Sequence, residues 1–427
     1  MTLKQGVVAQ PPVFSDLNSL LPGTAGAIVA AWLRDILARR RSARRPVEHE
    51  SMKFGFSDEQ QEFRSIVRRF LEDKSPTSAV RRLMESDAGY DPDVWRTLSG
   101  DLGLTAVHIP EAYGGQGFGV SELAIAVEEM GRALLCAPYF ASTVLAATAI
   151  LKAGTEQQKQ DLLPGIASGE TIAALAFTED SGRWDADSVA MTAVSSGGHW
   201  RLSGAKSFVV DGNTARLLIV LARRPGSTGS DGLSFFTMKA DAAGLVRKPL
   251  ASMDPTRKLA RLTFDNVEAE LLGEEGAAAA SLESTLDIAA ICLAHEMVGG
   301  AELLREQAIA FANQRYQFGR PISSFQTLKH KAADMLLEVE LAKSAAYYAA
   351  AAVDEGDPEV PALASLAKAA ASDAYMQTAI HAIQIHGGIG FTWDNDTHLW
   401  FKRAKSSEVF LGGPEYHRER LMQACNV

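Results

Sequence analysis

Apolar side chains recur every three or four positions after Ser57, which is the spacing of one buried helix face. The positions are Phe63, Ile66, Val67, Phe70 and Leu71. Ser57 stands directly before Asp58-Glu59-Gln60, and a hydroxyl residue followed by an acidic first turn marks a helix start. The pattern therefore predicts that an amphipathic helix opens the folded part of the chain.

Three further segments of the first third carry the same helical spacing. They are residues 124–135, 142–153 and 157–163, and Pro164 after the last of them is expected to stop that helix. Together with the opening helix, they predict an all-helical N-terminal domain over residues 52–172.

The pattern changes near residue 173, where short β-prone runs replace the helical spacing. The runs are residues 190–194, 200–202, 207–210, 217–222, 233–238 and 259–264. Turn signals separate the first runs, Ser196-Gly197-Gly198 before the second and Asp211-Gly212-Asn213 after the third. Short strands at such regular intervals predict a small β-sandwich or barrel over residues 173–278.

The remaining chain returns to long, alanine-rich helical patterns with few breakers. The segments are 282–316, 325–353 and 361–386, and alanine-rich helices of this length favour a close antiparallel packing. A C-terminal four-helix bundle is therefore predicted over residues 279–427. The complete order predicts an α+β multidomain protein with a helical domain, a β domain and a helical bundle.

Residues 1–51 precede all of these patterns and are predicted to be a disordered extension or to lie outside the fold. An apolar stretch is followed there by the basic run at residues 39–45, which is the reverse order of a secretory signal peptide. A short amphipathic helix that contacts an anionic surface or a partner is the alternative. A start codon assigned too early, with Met52 as the true start, would also explain the segment.

Composition excludes several classes of protein. The net charge of −10 and the pI near 5.5 argue against a nucleic-acid partner. Cys136, Cys292 and Cys425 have no zinc-like spacing, so no metal site is predicted, and so few cysteines suit a reducing compartment such as the cytoplasm. The apolar run at residues 26–33 is too short to span a bilayer.

Two segments near the C-terminus carry the most specific signal in the chain. The first reads Arg315-Tyr316-Gln317-Phe318-Gly319-Arg320-Pro321-Ile322 and is followed by Phe325-Gln326. The second reads Gln384-Ile385-His386-Gly387-Gly388-Ile389-Gly390-Phe391-Thr392. Taken singly, the arginine is typical of a solvated charge and the glycine pair of a helix end. In this order and spacing they resemble the flavin-binding motifs of the acyl-CoA dehydrogenase family, and the resemblance covers residues 52 to about 421.

The resemblance implies that FAD lies between the β domain and the bundle, with a neighbouring subunit completing the site. It implies that Arg315 meets the cofactor diphosphate, because a guanidinium can bond two phosphate oxygens while neutralising their charge. Further residues match cofactor-contacting positions of the family: Phe318, Gln326, Gln384, Gly387 and Gly388. The backbone at a glycine can approach a ligand without a Cβ in the way.

The β domain carries a weaker form of the same resemblance. Thr178, in Ala176-Phe177-Thr178-Glu179-Asp180, matches the family segment that meets the flavin ring. Phe208 stands where the family has an aromatic residue near the flavin, although an aromatic on a strand is more often part of a core. Val210 replaces a hydroxyl residue that often bonds the flavin, so one hydrogen bond is expected to be missing.

The resemblance also implies a reaction, for which this chain lacks the usual base. Dehydrogenation of an acyl-CoA needs a carboxylate that removes the α-proton, while flavin accepts the β-hydrogen as hydride. The family places that carboxylate at one of two positions, which here hold Leu411 and Ala289. Ala290 also replaces an arginine that often contacts CoA in the family.

Several functions remain open at this point. Another acid could serve as the base, and the nearby candidates are Asp287, Glu296, Glu408 and Glu415, each more typical of a surface or paired charge. The run from Leu411 to Arg418 resembles a family branch that commonly lacks the glutamate. That branch favours the base-less half of a hetero-oligomer, as in family members that act on steroid-like thioesters. A homomeric oxidase or monooxygenase and a non-catalytic structural subunit are the alternatives.

The reading favoured by these residues is FAD-dependent α,β-dehydrogenation of an acyl-CoA thioester in fatty acid or steroid degradation. The expected assembly is a dimer or tetramer, homomeric or heteromeric, in which a partner supplies the base. The family resemblance also implies an electron-accepting flavoprotein as a redox partner.

Overall fold

The computed structural model describes residues 56–183, 185–196 and 199–424, and the predicted extension at residues 1–51 lies outside them. Eleven α-helices are labelled in chain order within these residues. They are α1 Asp58–Lys74, α2 Thr77–Met84, α3 Pro92–Arg96, α4 Val120–Arg132, α5 Thr148–Ala153, α6 Glu156–Ala167, α7 Ala278–Gln314, α8 Gln326–Glu355, α9 Val360–His386, α10 Thr397–Val409 and α11 Pro414–Ala424.

The N-terminal domain is helical, as predicted. Helix α1 opens with a capping box, in which the Ser57 hydroxyl accepts from Gln60 N at 3.2 Å and the Gln60 side chain accepts from Ser57 N at 3.0 Å. The prediction that Pro164 stops a helix was wrong, because α6 continues through Pro164 to Ala167. The helical segment predicted at residues 142–153 is divided, because Phe140–Ala147 has π-helical bonding and passes directly into α5.

The central domain is a closed β-barrel, which confirms the predicted β domain. Its strands are β1 Ala173–Ala176, β2 Thr192–Ser196, β3 His199–Val210, β4 Leu217–Arg223, β5 Leu233–Lys239, β6 Leu245–Leu250 and β7 Leu259–Leu272. The strand order is β1-β4-β2-β3-β7-β5, and pairing of β4 with β5 closes the sheet, while β6 pairs with β7. Alanine, leucine, valine and phenylalanine side chains fill the barrel.

Two details of the barrel differ from the sequence prediction. The runs at residues 200–202 and 207–210 form the single strand β3, which bends at Gly204 with a φ of 143°. Strand β6 was not predicted, because Arg247, Lys248 and Pro249 interrupt its apolar residues and none of its side chains is fully buried.

The C-terminal domain is the predicted helical bundle, in which α7 packs against both α8 and α9. Helices α4 and α7 approach closely where glycine lies on each of them. A Cβ at Gly131 would stand 2.1 Å from the Glu296 carbonyl oxygen, and one at Gly299 would stand 1.9 Å from the Glu128 carbonyl oxygen. This contact joins the N-terminal domain to the bundle. We propose domain boundaries at 172/173 and 278/279, where helix gives way to strand and strand to helix.

None of the described helices combines the length and apolarity that crossing a membrane requires. In the same part of the chain, no group of three or more His, Cys, Asp or Glu side chains is arranged to hold a metal ion.

Candidate active site

A short hairpin follows α7 and presents two of the predicted cofactor residues. Its strands are β8 Tyr316–Gln317 and β9 Arg320–Pro321. Phe318 and Gly319 form the turn with φ of 53° and 77°, and Phe318 is 92% exposed. A phenylalanine in the left-handed region is strained, and such strain is often kept at ligand sites. The hairpin therefore holds an aromatic ring out from the body of the chain.

Arg315 lies at the base of this hairpin and is free to bind an anion. Its backbone carbonyl accepts from Ile322 N at 2.8 Å, which fixes the main chain. The side chain is exposed, and among the described residues its guanidinium has no hydrogen-bond or ion-pair partner. Gln326, which begins α8, is also exposed.

The second motif lies at the same end of the bundle. His386 closes α9 and stacks on Phe311 of α7, one turn before Arg315, with ring centroids 4.4 Å apart. Gly387 and Gly388 follow, both exposed, and a Cβ at either position would meet nothing within 4 Å. Gln384 is exposed, and its side-chain oxygen accepts from Lys331 Nζ at 2.9 Å. The two motifs therefore share one open surface.

The β-domain candidates lie next to each other on separate elements. Thr178 follows β1 and is buried, and its carbonyl oxygen accepts from Ser207 N at 2.9 Å. Phe208, which follows Ser207, has a φ of 58° within an irregular stretch of β3 and is 43% exposed. Val210 is buried and offers no hydroxyl, in agreement with the sequence.

A buried ion pair, which sequence reasoning missed, supports these two residues. Lys206 Nζ lies 2.9 Å from Glu179 Oε1 and donates to Phe177 O at 3.2 Å. Burial lowers the pKa of Lys206 to about 8 although Glu179 opposes the shift. The Glu179 carboxylate also accepts from Ala190 N and Met191 N. The network ties β1, β3 and the following loop together beneath the exposed Phe208 ring.

Both base positions are buried and nonpolar. Leu411 is 5% exposed and Ala289 is 0% exposed. Leu411 has a φ of 60°, so a non-glycine residue occupies a strained conformation here. Lys368 Nζ donates to the carbonyls of Glu408 at 3.1 Å and Gly412 at 3.0 Å, and His417 Nε2 donates to Leu411 O at 2.9 Å. The loop is therefore held by its backbone and not by the side chain at 411.

A cavity of about 160 Å³ lies beside Leu411 and Ala290. His417 also lines it, and burial, reinforced by Lys368, lowers the pKa of His417 to about 4, so the ring is neutral. With Nε2 bonded to Leu411 O, the buried Nδ1 has no partner among the described residues. Sequence reasoning did not single out His417, and nothing in the sequence pairs it with position 411.

Of the four carboxylates proposed as a substitute base, three are engaged in ion pairs, namely Asp287, Glu296 and Glu408. Asp287 lines the cavity but is bound by Arg420, with Nη2 donating to Oδ2 at 3.1 Å. Glu408 pairs with Lys405. Glu415 is exposed in the first turn of α11 and is not part of the cavity lining.

Glu296 lies deeper, in a cluster of buried charges. Its Oε1 accepts from Arg257 Nη2 at 2.5 Å and from Arg403 Nη1 at 3.1 Å. Burial alone would raise the pKa of Glu296, but the two guanidinium groups hold that pKa below its ordinary value. Arg403 Nε also donates to Asp254 Oδ2 at 2.9 Å. Glu296 is therefore a fixed structural anion, not a free base.

Comparison with known proteins matches the chain along its described length. The models for the acyl-CoA dehydrogenase N-terminal, middle and C-terminal domains match residues 57–170, 174–267 and 275–425. Acyl-CoA dehydrogenase IpdE2 of Mycobacterium tuberculosis is 34% identical, over 85% of this chain and 96% of that protein.

Two solved structures share the fold. Butyryl-CoA dehydrogenase from Megasphaera elsdenii is 30% identical with a TM-score of 0.83, covering 88% of this chain and 100% of that one. A variant of the Tcur3481–Tcur3483 steroid ACAD is 32% identical with a TM-score of 0.78, covering 86% and 98%.

Proposed function

The chain belongs to the acyl-CoA dehydrogenase family, and we propose that it acts as the subunit of a hetero-oligomer whose partner supplies the base. It is an oxidoreductase of the family that acts on CH–CH bonds with FAD as cofactor. The proposed reaction is α,β-dehydrogenation of an acyl-CoA thioester. A second flavoprotein is the proposed electron acceptor.

The observation that carries this proposal is the pair of nonpolar side chains at the two base positions. Neither Leu411 nor Ala289 can accept a proton, and both are buried. Among the alternative acids, Asp287 and Glu296 are neutralised by arginines. A buried carboxylate bound by a guanidinium is a weak base, because the ion pair favours its charged form. A carboxylate from another chain would supply the missing base.

The residues of the two open motifs fit FAD by the chemistry of their donors. In the proposed site Arg315 holds the diphosphate, Phe318 and Gln326 contact the cofactor, and the Gln384–Gly388 segment lies along it. Thr178 and Phe208 border the ring from the β domain. When bound, FAD supplies the electron sink that accepts the β-hydrogen as hydride. The exposed position of both motifs supports a site completed across a subunit interface.

One solved relative supports a mixed assembly. The Tcur3481–Tcur3483 steroid ACAD is named for two proteins. By analogy we propose two different chains here, with a bulky, steroid-like acyl group as the substrate class. The analogy is one of sequence and fold, and the chemistry of positions 289 and 411 is the independent support.

The test is anaerobic mixing of the purified, FAD-loaded chain with butyryl-CoA, followed by absorbance at the flavin band. The same measurement is made on the complex that forms when the chain is co-expressed with a paralogue that carries glutamate at the position matching 411. The chain alone should reduce flavin about 10²- to 10⁴-fold more slowly than the mixed complex, which is the usual cost of a missing general base. Fast reduction by the homomer, or a mass showing that the two chains do not associate, would refute the proposal.

A further inference from the structure

Two cavities are lined by successive parts of helix α7. The outer one, of about 160 Å³, is lined by Leu411 and Ala290. The inner one, of about 30 Å³, is lined by Val210, Tyr139 and Glu296. Ala290 and Glu296 are six residues apart, so the cavities are separated by about 9 Å along the helix axis.

A layer of packed side chains borders the inner cavity, because Arg257 and Phe140 line it, and Phe410 of the same layer directly precedes Leu411 of the outer cavity. The Arg257 guanidinium lies 5.6 Å from the Phe140 ring centroid and 5.2 Å from the Phe410 ring centroid. The two rings contact each other edge to face, with centroids 5.7 Å apart. All three side chains are buried, and Phe410 directly precedes Leu411. An acyl chain that passed Leu411 on its way inward would meet this layer.

Arg257 is held in the layer by charge as well as by the rings. Its Nη2 donates to Glu296 Oε1 at 2.5 Å, and Glu296 is itself fixed by Arg403. Moving the guanidinium aside would leave a buried carboxylate with one of its two cations, which is strongly unfavourable. The inner cavity, of about 30 Å³, has room for about two water molecules and not for a chain of methylenes.

We propose that Arg257, packed against Phe140 and Phe410, closes the acyl channel of this chain, so that the additional methylenes of a long acyl group are not buried in its own site. The inference rests on the proposed function, because it explains why the thioester would be bound in the partner's site. Arg257 is a specificity-determining residue in this view. Its side chain occupies the space that the far end of a long acyl group would need.

The test measures the binding of butyryl-, hexanoyl- and octanoyl-CoA to the FAD-loaded full chain by calorimetry. In the wild type, affinity should not change with acyl length, since no additional methylene is buried. In Arg257→Ala, each added methylene should strengthen binding about fourfold, which is the equivalent of about 0.8 kcal/mol per buried CH₂. Arg403→Gln is the matched control, because it removes a charge from the same carboxylate and leaves Arg257 packed against the two rings. It should behave as the wild type.

Phe140→Ala provides a second way to open the layer with every ion pair intact. It should also show length-dependent binding, and it keeps the test valid if Arg257→Ala does not fold. Wild-type affinity that rises severalfold per methylene would overturn the inference. So would an absence of binding in both opened variants, because Arg257 would then not be the barrier. Failure of the proposed function is seen separately, in flavin reduction and in the mass of the complex.

Discussion

Substituting Arg315 by alanine tests the cofactor site with little effect on the fold. The side chain is exposed and has no partner among the described residues, so its removal should change the free energy of unfolding by no more than about 0.5 kcal/mol. A hydrogen bond to a charged group contributes about 1.5–3 kcal/mol. At about 1.4 kcal/mol per factor of ten, the Kd for FAD should rise about 10- to 150-fold.

The assay is the increase of flavin fluorescence as FAD dissociates on dilution of the yellow protein, with urea unfolding measured in parallel. Arg320→Ala is the matched control, since it removes the same charge from the same hairpin. Arg320 stacks on the Phe325 ring at 4.1 Å and is not assigned to the cofactor. We expect its Kd to stay within about threefold of the wild type, as suits a screened surface charge. Unchanged FAD affinity in Arg315→Ala, or equal losses in both variants, would refute a specific diphosphate contact.

Three further predictions concern the base position and the buried charges. Leu411→Glu should speed flavin reduction by butyryl-CoA about 10²- to 10⁴-fold in anaerobic stopped-flow, and no gain would mean that the outer cavity does not admit a thioester. Glu296→Ala should cost about 3–5 kcal/mol in urea unfolding, because it leaves two buried guanidinium groups undercompensated, and a loss below 1 kcal/mol would contradict the buried network. His417 has a folded-state pKa of about 4 against about 6.5 when unfolded, so it contributes stability above pH 6.5 that is lost as the pH falls toward 4. In His417→Gln, the fall in the free energy of unfolding between pH 6.5 and pH 4 should be smaller by up to about 3 kcal/mol. Identical curves of stability against pH in both proteins would show that the histidine is not buried in its neutral form.

The parts of the structure that local chemistry determines were predicted from the sequence. The start of α1 follows from the cap at Ser57, and the alanine-rich patterns locate α7, α8 and α9 to within a few residues. Pro164 was misjudged because a proline lacking one backbone hydrogen bond can be tolerated where tertiary packing supports the helix. Strand β6 was missed because it shows no apolar alternation.

The candidate site was predicted in its motifs but not in its contacts. Phe318 and Gly319 lie in a continuous sequence motif that could be recognised. The cluster around Glu296, in contrast, joins side chains more than a hundred residues apart along the chain. Arg257 lies on a loop after β6 and has no local pattern that relates it to Phe140 or Phe410. Pairings of this kind depend on how the domains pack, which periodicity and spacing do not report.

The way in which the loop around Leu411 is held has an evolutionary consequence. Lys368 and His417 bond to carbonyl groups, which every residue type possesses, so the loop keeps its shape whichever side chain stands at 411. A duplicated gene could therefore lose its glutamate without unfolding the loop, and could recover it by one substitution. Ancestral or laboratory lineages of this family should be able to exchange catalytic and supporting subunits at little structural cost.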